Sequence, residues 1–316
     1  MLIKSADDKS KRLSLLEELQ KSPLLDQRQK DWLRDELWTL RRGIAGERDA
    51  AHYIDNHFRD GVNHGVIHDL RISVDGEVAQ IDHLLVSRMM HFYLLETKNF
   101  GGNVTITEHG EFSVEYRGER VFGVPSPIEQ SKRHENVLRK LLDKLEIKAR
   151  AGTSPRFYHV VLVDPKATII RPDAKRFDTS MVIKADQFRT WFDKHIDKDV
   201  GATTMLSAVI NLRGTEAVRE LAEKIKRAHR PADILTLPDW IKPKAAAPAS
   251  ATATPPKLRK PAPPPIAATK AEPARKQLIC ATCGTKISYA EGKFCWNNEK
   301  RFGGSQYCRE HQTSFK

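Results

Sequence analysis

Two apolar segments separated by a short polar turn most constrain the fold of this chain. The first runs from Val78 to Val86 and the second from His91 to Lys98, and both are rich in aliphatic and aromatic residues. Their length and composition are typical of β-strands, so we expect an antiparallel hairpin. Pairing of Ser87 with His91 around a three-residue turn would place Asp82 directly opposite Glu96.

This predicted register brings two carboxylates together. Because side chains alternate across a strand, Glu96 and Lys98 share a face and Thr97 points to the other. The Cβ atoms of Asp82 and Glu96 would lie only about 5 Å apart, where like charges destabilise a sheet unless a divalent cation neutralises them. The alternative is the solvated face of a half-buried sheet, although the apolar neighbours make an unpaired charge costly there.

Several short motifs follow one another in and around this hairpin. They are Gly43-Ile44-Ala45-Gly46-Glu47, Val66-Ile67-His68-Asp69-Leu70, Gln80-Ile81-Asp82-His83-Leu84-Leu85-Val86, Leu95-Glu96-Thr97-Lys98-Asn99-Phe100-Gly101-Gly102 and Pro127-Ile128-Glu129-Gln130. In sequence and order they resemble the NERD (nuclease-related) domain of the PD-(D/E)xK nuclease superfamily, over about residues 38 to 150. The resemblance implies a restriction-endonuclease-like α/β fold, with a mixed sheet flanked by helices and a Mg²⁺-dependent nuclease site.

The resemblance implies roles for individual residues. Asp82 and Glu96 would bind Mg²⁺ or Mn²⁺, with the main-chain carbonyl of Thr97 as a candidate further ligand. Lys98 would orient or help to deprotonate the attacking water and stabilise the transition state. Glu47, on a helix expected to start near Gly43, would add to the metal site, unless it is a solvated residue of the helix face.

Gln130 resembles the helical glutamine near the active site of exonuclease-type members, with a helix cap or a surface amide as the alternative. His83 is expected to point away from Asp82 and to pack in the core or on the sheet. The remaining nearby histidines lack regular ligand spacing and are interpreted as ordinary helix and loop residues; they are His52, His57, His64 and His68.

Composition favours a polyanionic partner. The chain has 53 Lys and Arg against 41 Asp and Glu, a formal net charge of +12 and a pI near 9.5. Part of this charge lies on a predicted helix that could line a nucleic-acid groove, with DNA as the expected partner. The alternative is the solvated face that a charge-rich helix needs. The candidate contacts there are Lys132, Arg133, Arg139 and Lys140, with Lys144 on the same helix.

A second site is predicted near the C-terminus. The pair Cys280 and Cys283 and the pair Cys308 and His311 have the spacing of a tetrahedral structural Zn²⁺ site, and Cys295 is the alternate ligand. The four cysteines of the chain all lie in this module, which is too short to build its own core, so we expect the metal to fold it.

Aromatic and basic residues of this module could pack around the metal or contact single-stranded nucleic acid. The best candidates for such contacts are Trp296, Lys300, Arg301 and Phe302. The module could instead dock a protein partner.

The pattern predicts residues 1–42 as an N-terminal helical segment of two helices split near Pro23, 43–235 as the nuclease-related α/β domain, 236–277 as a linker rich in Pro, Ala and Lys, and 278–316 as the zinc module. The linker would tether the zinc module near the nuclease site or act as a plain spacer. We expect further strands at Phe157–Val163 and Met181–Ile183 and helices at Ala185–His195 and Thr215–His229.

The N-terminus lacks a signal-peptide core and no apolar run is long enough for a membrane span, so a cytoplasmic protein without membrane contact is expected. Three functions follow from the sequence. The first is a Mg²⁺-dependent DNA nuclease of DNA processing or repair. The second is a catalytically silent nucleic-acid-binding protein, and the third is a protein-interaction adaptor that uses the zinc module.

Overall fold

A computed structural model describes residues 1–116, 120–150, 154–199, 210, 212–233, 235–241, 278–303 and 305–315. The chain divides into two compact units, residues 1–248 and 249–316. Residues 242–277 of the predicted linker lie outside the described part of the chain. No helix in the described ranges is both long and apolar enough to cross a membrane.

The first unit is built on a mixed sheet in which the described strands follow the order β1-β2-β3-β4-β8-β10. These strands are β1 (Leu2–Lys4), β2 (His64–Val74), β3 (Glu77–Ser87), β4 (His91–Lys98), β8 (Arg156–Val163) and β10 (Val182–Lys184). The pairs β2–β3 and β3–β4 are antiparallel, whereas β1–β2, β4–β8 and β8–β10 are parallel. The expected strand at Phe157–Val163 is confirmed, and the one near Ile183 lies one residue further along the chain.

A smaller sheet has the strand order β7-β6-β5-β9. Its strands are β5 (Asn103–Ile106), β6 (Phe112–Glu115), β7 (Val121–Val124) and β9 (Ile169–Ile170). Gly102 leads into β5, and a Cβ atom at Gly102 would lie 2.0 Å from the carbonyl oxygen of Glu115. The close approach of two backbones therefore requires glycine at this position.

Helices cover both faces of the larger sheet, which confirms the predicted fold class. The helices of this unit are α1 (Ser10–Lys21), α2 (Gln27–Phe58), α3 (Pro127–Lys144), α4 (Phe188–Asp199) and α5 (Thr215–Arg227). On one face α3 and α5 pack over Leu84, Phe92 and Leu94. On the other, α2 and α4 pack over Leu85, Tyr93 and Leu95. Alternate residues of β4 thus enter different cores, as its two-residue period requires.

The helix that carries Glu47 starts much earlier than expected. We predicted a start near Gly43, but α2 begins at Gln27, where the side chain of Asp26 accepts a hydrogen bond from the Gln29 N–H and the Gln29 side chain accepts one from the Asp26 N–H. This capping box favours initiation at that point. The helix continues through both glycines, so the predicted segments 1–42 and 43–235 share α2.

The expected helix at Thr215–His229 ends at Arg227, and the one at Ala185–His195 starts as a 3-10 turn (Ala185–Gln187) before α4. The interpretation of His64 and His68 as helix or loop residues is wrong, because both lie in β2. His68 is 2% exposed. The histidines of this segment interrupt the alternation of apolar and polar residues that would have indicated a strand.

Gly46 allows α2 to approach the end of β4. A Cβ atom added at Gly46 would lie 2.7 Å from Cβ of Asn99, whereas one added at Gly43 would meet only Oε1 of Glu47, at 3.9 Å. Two reciprocal hydrogen bonds fasten the contact: Nη2 of Arg42 donates to the Asn99 carbonyl at 2.7 Å, and Nδ2 of Asn99 donates to the Arg42 carbonyl at 2.8 Å. A small residue is needed for this packing.

The two glycines of α2 provide a matched test of this contact. Gly43→Ala should raise the free energy of unfolding by about 0.4–1 kcal/mol, because alanine favours the helix and the site has space. Gly46→Ala should instead lower it by about 1–3 kcal/mol through overpacking against Asn99. Denaturant unfolding of the two variants measures both, and an equal gain from both would contradict the close contact.

Candidate active site and candidate metal centre

The hairpin has the predicted register. β3 pairs with β4 through His83 with Leu95, Leu84 with Leu94, Leu85 with Tyr93 and Val86 with Phe92. Continuing this register by one residue places Asp82 across from Glu96. The N–H of Thr97 donates to Oδ2 of Asp82 at 2.7 Å, so the Asp82 side chain takes over as a hydrogen-bond partner where the regular ladder ends.

Asp82 and Glu96 are held in a poorly hydrated position. Glu96 is 3% exposed and Asp82 is partly buried. Burial, followed by the charges of Glu96 and Glu47, raises the pKa of Asp82 well above its ordinary value. Burial also raises the pKa of Glu96, against the opposing effect of Lys98. Two carboxylates that repel one another in a partly desolvated position fit the donor set of a divalent cation.

Lys98 lies between Glu96 and α3. Its Nζ donates to Oε1 of Glu96 at 2.7 Å and to Oε1 of Gln130 at 3.1 Å. Gln130 is in the first turn of α3, which begins at Pro127 after the N-cap residue Ser126. The structure therefore brings Gln130 to Lys98, while the cap of this helix is the hydroxyl of Ser126, which accepts from the Glu129 N–H.

His134, one turn further along α3, was not identified from the sequence. Its Nδ1 lies 3.7 Å from Oε2 of Glu96. Burial and the nearby charges of Lys98 and Arg133 lower the pKa of His134 to about 4, so its imidazole is neutral at pH 7 and the contact is not an ion pair. The i, i+4 spacing from Gln130 is the one signal that places it on the same helix face.

Glu47 faces this region but is bound by a lysine of the N-terminal segment. Nζ of Lys9 lies 2.7 Å from Oε2 of Glu47 and 3.4 Å from Oδ2 of Asp69. Asp69 is 3% exposed and has a positive φ of 51°. It lies between the pairs His68 with His83 and Leu70 with Ile81. The register is the same on both sides, so Asp69 lies across from Asp82 at a break in the β2–β3 ladder. Sequence reasoning missed both Lys9 and Asp69.

A small cleft opens beside the end of β4, on the α2 side. It is lined in part by Gly46, Asp49, Thr97 and Asp164. Lys98 also contributes to its wall and is the predicted catalytic residue that lines this cleft.

Most of the basic side chains predicted to contact nucleic acid are exposed and carry ion pairs. Lys132 pairs with Glu129, Arg139 with Glu135 and Lys140 with Glu77. Arg133 is exposed, and its charge is among the causes that lower the pKa of the neighbouring Glu96. Exposed ion pairs contribute little to stability and exchange readily for phosphate, so the contacts of α3 remain a prediction.

The second unit contains a cluster of possible metal ligands. One ligand atom each from Cys280, Cys283, Cys308 and His311 lies within 4.8 Å of the others, and within the described residues this is the one group of three or more such side chains. The Sγ atoms of Cys283 and Cys308 are 3.9 Å apart. Tetrahedral coordination at a Zn–S distance of about 2.3 Å gives a separation of about 3.8 Å, so the donor set fits Zn²⁺.

Cys280 is prepared to act as a thiolate. Although desolvation opposes the effect, hydrogen bonds from the backbone of Cys308, Cys283 and Thr282 lower the pKa of the Cys280 thiol to about 6. A thiolate is the form that binds metal. Cys295 is fully buried outside the group, and its Sγ accepts from the Tyr307 N–H at 3.4 Å.

The prediction that Phe302 contacts single-stranded nucleic acid is wrong. Phe302 is 2% exposed and packs against Phe294, Tyr307 and Phe315, because the short module uses its aromatics as a core. Trp296 is 43% exposed, and Arg301 is exposed with its guanidinium donating to the Phe315 carbonyl. The side chain of Lys300 lies outside the described part of the structure.

Residues 42–164 match the family model of NERD, the nuclease-related domain, so the chain contains a domain of this family. The match begins at Arg42, which binds Asn99, and ends at Asp164, just after β8. No curated protein and no solved structure matched the chain.

Replacing Asp82 should reveal the cost of the paired carboxylates. A carboxyl group whose pKa is raised on folding binds more protons when folded, so the free energy of unfolding falls as pH rises from about 3.8, the ordinary value, through the raised pKa. In EDTA at pH 7, Asp82→Asn should therefore be more stable than the wild type, with a Tm higher by about 2–4 °C for each kcal/mol relieved.

Calorimetry at pH 4 and pH 7 tests this expectation. The difference in Tm between Asp82→Asn and the wild type should be smaller at pH 4. Mg²⁺ should raise the Tm of the wild type and leave that of Asp82→Asn nearly unchanged. A variant less stable than the wild type at pH 7 in EDTA would show that the carboxylates do not repel one another.

Zinc content tests the ligand group of the second unit. Purified protein should contain about one Zn²⁺ per chain, as expected for one tetrahedral four-ligand site. Cys280→Ser should reduce the metal content strongly, whereas Cys295→Ser, which removes a buried thiol outside the group, should retain it. Mass spectrometry measures the zinc content of each variant. Equal loss of zinc in both variants would contradict the assignment of Cys280 as a ligand and of Cys295 as a residue outside the site.

Proposed function

We propose that this protein is a divalent-metal-dependent DNA nuclease that acts in DNA processing or repair. The observation that supports it best is the arrangement at the end of the hairpin. Asp82 and Glu96 are paired across two strands with raised pKa values, and Lys98 is bonded to Glu96 at 2.7 Å. This is the donor set and the cationic group that phosphodiester hydrolysis requires.

Asp82 and Glu96 would hold Mg²⁺ or Mn²⁺, with the main-chain carbonyl of Thr97 as a candidate third ligand. The bound ion would supply Lewis-acid polarisation of the phosphate and a lower pKa of bound water. Glu47 would join these ligands if Lys9 gave up its ion pair, since Lys9 now neutralises Glu47 at 2.7 Å. The divalent cation would then take the place of the single positive charge of Lys9 beside Glu47.

Lys98 is the side chain that would assist the attack of water on the phosphate. The amide oxygen of Gln130 and the carboxylate of Glu96 fix its ammonium group from two sides. In this position Lys98 would orient the attacking water and stabilise the negative charge that builds up as the new P–O bond forms and the ester bond breaks. Neutral His134 is placed beside the same carboxylate and adds no competing charge.

The exposed basic residues of α3 would bind the DNA backbone, with Arg133 nearest to Glu96. Its neighbours Lys132, Arg139 and Lys140 would exchange their ion pairs for phosphate contacts. In the second unit, Trp296 and Arg301 are the exposed candidates for contact with a single strand, and the zinc module is also the candidate surface for a protein partner.

Cleavage assays with linear, circular and single-stranded DNA test the proposed activity. The wild type should cleave with Mg²⁺ or Mn²⁺ and not in EDTA. Asp82→Ala should abolish cleavage, and Lys98→Ala should slow it by about 10²–10⁴-fold, as removal of a group that assists proton transfer does. Lys194→Ala, which changes an exposed lysine of α4, is the control and should be unaffected.

Each other result has a defined meaning. Cleavage that survives both Asp82→Ala and Lys98→Ala would contradict the site assignment. Binding of DNA without cleavage in any metal would favour a catalytically silent nucleic-acid-binding protein. Neither binding nor cleavage would favour an interaction protein that works through the zinc module.

A further inference from the structure

A chain of buried hydrogen bonds reaches the predicted active site from the face opposite to the carboxylates. Nε2 of His68 lies 3.0 Å from Oδ1 of Asp55, and Nδ1 of His68 lies 2.8 Å from Nδ1 of His83. Nε2 of His83 then lies 3.1 Å from Oγ1 of Thr97. The chain crosses α2, β2, β3 and β4, one residue from each. We call it the histidine relay.

The protons in this relay have one consistent arrangement. The carboxylate of Asp55 accepts, so Nε2 of His68 carries a hydrogen atom and, in a neutral ring, its Nδ1 accepts. Nδ1 of His83 must then donate to His68, which leaves Nε2 of His83 to accept from the hydroxyl of Thr97. Burial lowers the pKa of both histidines, in keeping with two neutral rings.

The position of the relay is hard to explain by packing alone. His68 is 2% and His83 is 1% exposed, on the sheet face that α2 covers with the apolar residues Ala50, Ile54 and Phe58. Apolar side chains would fill this space without the need for partners. Two polar rings in such a layer are tolerated only if every nitrogen is bonded, which fixes the side chains of all four members.

The end of the relay is Thr97, between Glu96 and Lys98. The N–H of Thr97 donates to Asp82 at 2.7 Å. Its hydroxyl is held on one face while its two neighbours project from the other, so the orientation of its peptide groups determines where Asp82, Glu96 and Lys98 lie. Asp55 is on the same helix as Glu47, and the Arg42–Asn99 contact holds that helix on the other side of Glu47.

We propose that Asp55, His68 and His83 are positioning residues of the active site, which hold Thr97 so that Glu96 beside it and Asp82 across from it are arranged to bind a divalent cation. The inference rests on the proposed metal site and adds residues that do not touch the substrate. Partners in the layer behind a metal ligand typically change metal affinity by about 10–100-fold when they are removed.

Two substitutions of Thr97 test the relay at its active end. Thr97→Val removes the hydroxyl and keeps the shape, whereas Thr97→Ser keeps the hydroxyl. Mn²⁺ affinity, measured by electron paramagnetic resonance of the free ion, should weaken about 10-fold or more in Thr97→Val and stay within about 3-fold of the wild type in Thr97→Ser. Equal affinities of the two folded variants would overturn the proposal.

A second pair of substitutions tests the end of the histidine relay that lies on α2. Asp55→Ala should weaken Mn²⁺ binding, and Asn56→Ala, at the next position of α2 and exposed, should not. A loss with Thr97→Val but none with Asp55→Ala would overturn the roles of Asp55 and His68. Circular dichroism and thermal melting establish that each variant is folded.

Histidine tautomers offer a readout that does not depend on activity. Nitrogen-15 NMR should show the Nε2–H tautomer for His68 and the rarer Nδ1–H tautomer for His83, and any other pair would overturn the relay. Mn²⁺ binding without DNA cleavage by the wild type would contradict the proposed function and leave the relay supported. Absence of Mn²⁺ binding by the wild type would overturn both.

Discussion

The repulsion between Asp82 and Glu96 is the constraint around which the first unit is organised. Two carboxylates meet at the point where β3 and β4 stop pairing, in a partly desolvated position that raises the pKa of both. A fold selected only for stability would not keep this pair, because like charges across a sheet are unfavourable. Lys98 offsets part of the charge, and the remainder is what a divalent cation would neutralise.

The neighbouring elements hold the strained pair in place. Gly46 lets α2 pack against Asn99, and Arg42 and Asn99 exchange two hydrogen bonds. On the opposite side of Glu47 the histidine relay joins α2 to the same strand. These contacts do not involve the repelling carboxylates. They hold α2, and with it Glu47, against the end of β4. A preorganised site needs such supporting contacts to keep its functional side chains in place.

The hairpin register was accessible from the sequence because a strand has a period of two and the turn length fixes which residues face each other. The cysteine and histidine group was predicted from the spacing of its two ligand pairs, whereas the roles of Lys98 and Gln130 were implied by the resemblance to the nuclease-related domain. The histidine relay was not predicted, because its members belong to four elements. The break in the β2–β3 ladder at Asp69 and the unbroken course of α2 through two glycines are decided by tertiary packing, which outweighs local propensity.

The location of a bound ion tests the central claim most directly. A crystal of the protein soaked in Mn²⁺ should show an anomalous peak between the carboxylates of Asp82 and Glu96, about 2.0–2.3 Å from an oxygen atom of each. Lys98 should remain beside Glu96. A well-ordered active site with no peak at these carboxylates in Mn²⁺-saturated crystals, or a peak only at a distant site, would contradict the account.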